Sequence, residues 1–231
     1  MERTSPGRRS EQQEIILIRH GQSTANASGV WQGQLDFPLS EQGRLQAAYT
    51  GRALRGTKIS GVYASPLSRA FETAEIVAHE AGFSGEVIPI PGFMERHGGI
   101  LEGHTWAEQE ARNPTLAKKF LALPEEERWT LVGAETNEEI LARFERALSE
   151  ILSHHHTADG SLVVVSHGGV MRAFLREHFG STVLPDAERA PNASITRLLW
   201  DPAEPNATPR LLELASTRHL LGERRMQAQL E

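Results

Sequence analysis

The sequence predicts an α/β fold: a mostly parallel central sheet with helices on both faces, in one domain with a helical excursion at about 98–136. Three observations lead there. Strand-like apolar runs alternate with amphipathic segments, the pattern that strand–helix–strand crossovers produce. Two of the runs, "IILI" at 15–18 and "LVVV" at 162–165, are apolar without a break, as strands covered on both faces must be. Both then end in a polar His-Gly step, "RHG" at 19–21 and "SHG" at 166–168, which packing does not require.

"EIILIRH" (14–20) is the first strand. "SEQGRLQAAYTGRALRG" (40–56) follows as a helix with Ser40 as N-cap, Gly56 as its stop, and Leu45, Ala48 and Leu54 on one face. "ISGVYAS" (59–65) is a second strand, and "PLSRAFETAEIVAHEAG" (66–82) a helix with Pro66 in its first turn. "GEVIPIPGF" (85–93) is a third strand, which its two prolines confine to an edge or end early. From Gly98 to Thr136 the periodicity loosens, and "HTWAEQEARNPTLAKKFLALPEEERW" (104–129) predicts one or two short helices away from the sheet.

"NEEILARFERALSEILSHHH" (137–156) is amphipathic, with Ile140, Phe144, Leu148 and Ile151/Leu152 along one stripe. "SLVVVSHGG" (161–169) is the next strand, and "VMRAFLREHFG" (170–180) a helix closed by Gly180. "SITRLLW" (194–200) and "RLLELAS" (210–216) are strands at the sheet's margin. Residues 1–13 are polar, lack the apolar stretch of a secretory signal, and are expected to be a disordered leader to a domain over 14–231.

Of the 231 residues, 39% are hydrophobic and 23% charged, enough apolar material for a sizeable core. The net charge of -6 argues against nucleic acid or an anionic membrane as the main partner. No run approaches the roughly 18 apolar residues of a membrane span, so a cytoplasmic location is expected. The chain has no cysteine, which excludes disulfides, thiolate metal sites and a Cys nucleophile.

Parallel strands place His20 and His167 together at the carboxyl edge of the sheet, where open α/β folds bind ligands. The second strand leads to Arg69 and the third to Glu95, so separate strands bring Arg19, His20, Arg69, Glu95 and His167 to one edge. Singly, each has a bland explanation: a His after a strand is commonly a hydrogen-bonded turn residue. Arg69, however, sits against the positive end of a helix dipole, a misplacement that a bound anion would neutralise. Two His and a Glu could form a facial metal triad, but two guanidiniums would repel a divalent cation. They fit phosphate oxygens instead.

The site therefore reads as a phosphate pocket with no metal and no cofactor. Backbone N–H groups near Gly21 and Gly168-Gly169 are expected to be free to strengthen it. No "GxxxxGK[ST]" loop is present. Without Cys, the available nucleophile is the His20 imidazole, which the arginines keep neutral by lowering its pKa.

These pieces resemble the histidine phosphatase superfamily, in its phosphoglycerate mutase-like branch. The matches are "LIRHGQSTAN" (17–26), "WQGQLDFPLSEQGRLQA" (31–47), "YASPLSRAFETA" (63–74), "MERHGGILEG" (94–103), "GAETNEEILARF" (133–144), "VSHGGVMRA" (165–173) and "NASITRL" (192–198), in the family's order. The resemblance implies a phosphoglycerate mutase-like three-layer fold and a phosphohistidine mechanism. It implies His20 as the nucleophile, Arg19, Arg69 and His167 as the clamp on the transferring phosphate, and Glu95 as general acid and base. Asn26, Gln32, Gly33 and Gly168 are implied as lesser phosphate or substrate contacts. The partner is expected to be a small phosphorylated metabolite; whether the chain forms a homo-oligomer stays open.

Cofactor-dependent mutases of the family resemble "ERHYGxLxG" at the Glu segment, where this chain reads "ERHGGILEG" from Glu95. They also have an adjacent Arg pair in a later insertion, where this chain offers only Arg112, Arg128 and Lys118-Lys119. A phosphatase is therefore expected, with a phosphoglycerate mutase as the alternative and a non-catalytic phospho-ligand binder as a third reading. His154-His155-His156 is read as solvated. Trp106, Phe120 and Trp129 either line the substrate side of the pocket or form the excursion's own small core, and His97 has no assigned role.

Overall fold

In a computed structural model, residues 12–155, 160–183, 190–200 and 208–221 are described. Most of the expected leader and His156 lie outside them. Six strands form one sheet: β1 (Gln13–Arg19), β2 (Ile59–Ala64), β3 (Val87–Pro89), β4 (Ser161–Ser166), β5 (Ile195–Trp200) and β6 (Arg210–Ser216). The order is β3-β2-β4-β1-β5-β6. β1, β2, β3 and β4 run parallel, while β5 and β6 add antiparallel at one margin. β1 starts at Gln13, which is buried, one residue before the strand expected from the sequence. β3 is the three-residue edge strand that its prolines foretold.

Both faces of the sheet are covered because successive side chains of each strand point to opposite sides. Ile15 and Leu17 pack with α7 (Asn137–His155) and α8 (Gly168–Phe179) through Ile140, Phe144, Leu148, Met171 and Phe174. Ile16 and Ile18 pack on the other side with α2 (Glu41–Ala53) and α3 (Ser68–Ala81) through Ala47, Ala70, Ala74 and Val77. The α7 stripe is the one expected. That of α2 is not: Leu45 is 47% exposed, and the buried face is Gly43, Ala47, Thr50 and Gly51, continuing to Leu54 just past the helix. α2 lies so close to α3 that a Cβ on Gly51 would stand 2.7 Å from the Val77 carbonyl oxygen, and small residues at helical spacing permit that approach.

Pro66 precedes α3 rather than entering it, and Leu67 is the N-cap. Between β1 and α2 a single turn, α1 (Thr24–Ala27), is held by a capping box between Ser23 and Asn26. The excursion holds three helices rather than one or two: α4 (Trp106–Arg112), α5 (Pro114–Ala122) and α6 (Glu125–Leu131). Asn113 ends α4 and also caps α5, its side chain accepting from the Leu116 N–H at 3.0 Å. Leu101, Phe120, Trp129 and Val132 form the excursion's own core, with Trp31 and Trp106 packed against it. His155 is not simply solvated: its Nε2 lies 2.6 Å from the Tyr63 hydroxyl, so the end of α7 leans on β2.

Candidate active site

Arg19 stands opposite Ser166 at the C-terminal ends of the neighbouring strands β1 and β4. The next residues, His20 and His167, have ring centroids 5.0 Å apart. His20 Nδ1 lies 2.6 Å from the Gly21 carbonyl. A carbonyl only accepts, so Nδ1 carries the ring hydrogen and the lone pair resides on Nε2. The His20 carbonyl accepts from the Ala193 N–H and the Asn192 side chain, each at 3.1 Å. Asn192 also donates to Gly21 and to Asn26 Oδ1, tying the loop after β1 to α1. Gly21 is needed here because a Cβ would stand 2.4 Å from the Gly43 carbonyl oxygen of α2.

His167 is oriented by a different device. Ser65 Oγ accepts from the Leu67 N–H at 3.3 Å and lies 2.7 Å from His167 Nε2, so the ring is anchored through Nε2. His167 Nδ1 is buried with no hydrogen-bond partner among the described residues, and such a group calls for one. Burial first, then Arg19 and Arg69, holds His20 well below the usual imidazole pKa. Burial also dominates for His167, followed by Arg69, His20 and Arg19. Both shifts favour the neutral ring near pH 7, which the residue pattern led us to expect for His20.

Arg69 is fully buried, its Nη1 and Nη2 donating to the Leu35 and Gly33 carbonyls at 2.9 and 2.8 Å. Its Nε, also buried, has no partner among the described residues. Gly33 serves through its carbonyl and its left-handed φ of 51°. Arg19 Nη1 donates to Ala190 at 2.5 Å, and Gly168 lets Arg19 Nε come within 3.1 Å of where a Cβ would be. Asn26, Gln32 and Gly33 line the same cavity of about 430 Å3 as Arg19, His20, Arg69, Glu95 and Gly168. His167 is buried beside it.

The structure corrects one expectation. The Gly21 N–H is committed to Thr73 Oγ1 at 3.0 Å, and at the start of α8 the Gly169 and Val170 amides are committed to Glu95. Glu95 Oε2 accepts from Gly169 at 2.9 Å, while Oε1 accepts from Val170 at 3.1 Å and from Arg96 at 2.8 Å. A Cβ on Gly169 would lie 2.5 Å from Oε1, so only glycine admits the carboxylate. Arg143 on α7 braces this segment, donating to the carbonyls of Gly92, Met94 and Glu95 and to the Glu135 carboxylate.

Arg143, Asn192, Ser65 and Thr73 were not singled out by sequence reasoning, although all four lie in or beside the quoted family segments. His97 stays outside the chemistry, its backbone N–H on Glu135. Trp129 belongs to the excursion's core and also to the pocket wall, with the Arg96 guanidinium 4.4 Å above its ring. Burial brings Arg96 down to about 10. Arg112, Lys118, Lys119 and Arg128 do not line this pocket. Among the described residues no group of three or more His, Asp or Glu side chains is gathered to hold a metal ion, and no helix is long and apolar enough to cross a membrane.

Comparison with known proteins gives the chain its relatives. The chain is 35% identical over 187 residues to a metal-independent phosphoserine phosphatase of Arabidopsis thaliana, covering 80% of this chain and 76% of that protein. It is 37% identical over 167 residues to phosphoglycerate mutase-like protein 4 of the same plant, covering 69% of this chain and 68% of that protein. A solved structure of mycobacterial glucosyl-3-phosphoglycerate phosphatase with VO3 superposes with a TM-score of 0.73 at 26% identity, over 89% of this chain and 100% of that one. This kinship supports a phosphatase enzyme. The sequence model of the histidine phosphatase superfamily, branch 1, matches residues 15–209, and the chain belongs to that superfamily.

Proposed function

We propose that this protein hydrolyses a small phosphate monoester through a phosphohistidine on His20, without a metal ion. The observation that carries this reading is the 2.6 Å contact of His20 Nδ1 with the Gly21 carbonyl, which leaves Nε2 as a neutral lone pair between two arginines. Nε2 attacks phosphorus in line, and the bond to the ester oxygen breaks. Arg19, Arg69 and the Nδ1–H of His167 hold the equatorial oxygens as charge spreads over them.

Glu95 protonates the departing oxygen. Its Oε1 already accepts two N–H bonds and Oε2 only one, so Oε2 retains the lone pair that carries the proton. In the second half, water attacks phosphorus, gives its proton to Glu95, and the P–N bond breaks to release phosphate. Asn26, Gln32, Gly33 and Gly168 complete the walls. The name of the Arabidopsis relative supports metal independence, and the relatives' names support a small phosphorylated metabolite as substrate.

A mutase is the alternative, favoured by the second relative's name. It would need a second anion site to hold its acceptor, and Arg112, Arg128, Lys118 and Lys119, all that the sequence offers in place of the mutases' Arg pair, do not line the pocket. Acid-labile, base-stable phosphate on His20 after quenching with p-nitrophenyl phosphate, and loss of turnover in His20→Ala, are the expected results, with activity surviving EDTA. Near-normal kcat in His20→Ala would refute the mechanism. Rapid interconversion of 2- and 3-phosphoglycerate primed by bisphosphoglycerate, with slow phosphate release, would favour the mutase.

A further inference from the structure

Left-handed backbone is strained for a residue with a side chain and persists only where its surroundings hold it. Among the described residues the non-glycine examples are Ala193, at φ 57°, and Ala215, at φ 41°. Both lie on one connection, which joins the loop touching His20 to the single 3-10 turn Arg218–Leu220 after β6.

Ala193 links the two ends of that connection. Its N–H donates to the His20 carbonyl at 3.1 Å, and its own carbonyl lies 3.0 Å from His219 Nε2. A carbonyl only accepts, so Nε2 carries the hydrogen and donates it. The same Nε2 stands 3.0 Å from Oγ1 of Thr50, a buried residue of α2. The Thr50 hydroxyl is nearer to the Gln46 carbonyl, at 2.8 Å, than to that of Ala193, at 3.3 Å. Its one hydrogen goes to Gln46, which leaves His219 as the chief donor to Ala193. On either side, Asn192 donates to the His20 and Gly21 carbonyls, and the Ser194 carbonyl accepts from the Arg19 N–H at 3.2 Å. Residues 192–194 thus form a strap across the end of β1, and His219 holds its middle.

Ala215 directs the chain toward that contact. Ile195 pairs with Ser216 but Arg197 with Glu213, so β6 carries one extra residue here, a bulge. The Ala215 N–H turns to the Thr196 hydroxyl at 3.0 Å, and the chain then enters the turn that brings His219 to Thr50. Resting on the reading of His20 as the nucleophile, we infer that His219 is a positioning residue for it: by holding Ala193 in its left-handed conformation, it fixes the His20 main chain and so the aim of Nε2. The His20 ring is itself held against the Gly21 carbonyl, to which Asn192 also donates, so ring and main chain share the strap. His219 does not line the reaction pocket and acts through Ala193.

Replacements at 219 test this. Gln places an amide N–H near the Nε2 position and keeps the donor; Asn, one methylene shorter, falls short of Ala193; Leu removes the donor. With p-nitrophenyl phosphate, kcat should fall roughly ten- to a hundredfold in His219→Leu and His219→Asn, the scale of a misplaced reacting group, while His219→Gln keeps most of it. The loss should be the same on an alkyl phosphate, because a misaimed nucleophile slows attack whatever the leaving group. That sets it apart from a fault at Glu95. Urea unfolding finds conditions in which each variant is folded, and His219→Asn carries the test if His219→Leu folds poorly. Ala193→Gly added to His219→Leu should recover activity severalfold, since glycine adopts a left-handed φ without a clamp. Near-wild-type kcat in the folded Leu or Asn variant, equal losses in Gln and Asn, or no recovery from the added Ala193→Gly overturns the inference while the wild-type protein still forms its phosphohistidine. A wild-type protein that forms no phosphoenzyme on His20 refutes the nucleophile reading, and this inference falls with it.

Discussion

Replacing Arg143 by Met is expected to disable Glu95 without touching it. Arg143 Nη1 donates to Gly92 and Met94 at 3.0 and 2.6 Å, and Nη2 to the Glu95 carbonyl at 2.9 Å. Its Nε and Nη2 also hold both oxygens of Glu135, at 3.0 and 2.9 Å. Each bond from a charged donor contributes about 1.5–3 kcal/mol, but summing them would overshoot, because carbonyls that lose a partner are partly rehydrated. Breaking a buried ion pair costs about 3–5 kcal/mol. Arg143 and Glu135 are 20% and 23% exposed, so a loss of about 3 kcal/mol is the expected value, measured by urea unfolding. Methionine keeps the stem's packing but frees the segment that aims Glu95. An alkyl phosphate needs its leaving oxygen protonated, whereas p-nitrophenolate leaves unaided. kcat for the alkyl ester should therefore fall roughly tenfold further than kcat for p-nitrophenyl phosphate, with Arg143→Lys recovering part of the difference. Equal losses on the two substrates would show that Arg143 supports only the fold.

The two buried imidazoles set a pH dependence. His20 and His167 both titrate below the unfolded value of about 6.5, so below that pH the unfolded chain binds more protons than the native one. Stability should then fall as pH drops from about 6.5 toward the native pKa values, by up to about 1.4 kcal/mol per pH unit for each ring. Urea midpoints across that range test this, and His20→Asn should flatten the slope; a pH-independent midpoint would refute it. Gly21→Ala should cost about 2 kcal/mol or more, because the new Cβ meets the Gly43 carbonyl, which is backbone and cannot swing aside. A normal melting temperature and kcat in that variant would show that the loop relaxes freely.

What the sequence made legible was whatever repeats along one element. Uninterrupted apolar runs identified β1 and β4, the 3.6-residue period gave the α7 stripe, and strand direction put His20 and His167 side by side. What it hid depends on contacts between distant segments. Ser65 anchors His167 Nε2 across 102 residues, and Asn192 reaches His20 across 172. Neither Ser65 nor Asn192 carries a local pattern to announce it. The α2 face was misread for a related reason: apolarity pointed to Leu45, but close packing against α3 rewards small residues over greasy ones. The excursion's third helix was obscured because Pro124 separates two segments too short to display a period.

The occupancy of the α8 amides follows from electrostatics that a motif does not express. A helix N-terminus stabilises any anion, phosphate or carboxylate. In the proposed mechanism the phosphate already faces two guanidiniums and an Nδ1–H of His167, donors enough for its equatorial oxygens. The group needing help in that mechanism is Glu95, which becomes a carboxylate once it has protonated the leaving oxygen and must then stand beside the phosphorylated His20, although like charges a few Å apart in a low-dielectric pocket repel by several kcal/mol. Three backbone N–H groups and the positive end of α8 offset that repulsion at Glu95 itself. Gly169 is the residue that permits it, since any side chain there would collide with Oε1. The second glycine of "SHGG" thus serves the proposed acid–base group, while the first, Gly168, gives Arg19 room beside the proposed phosphate position.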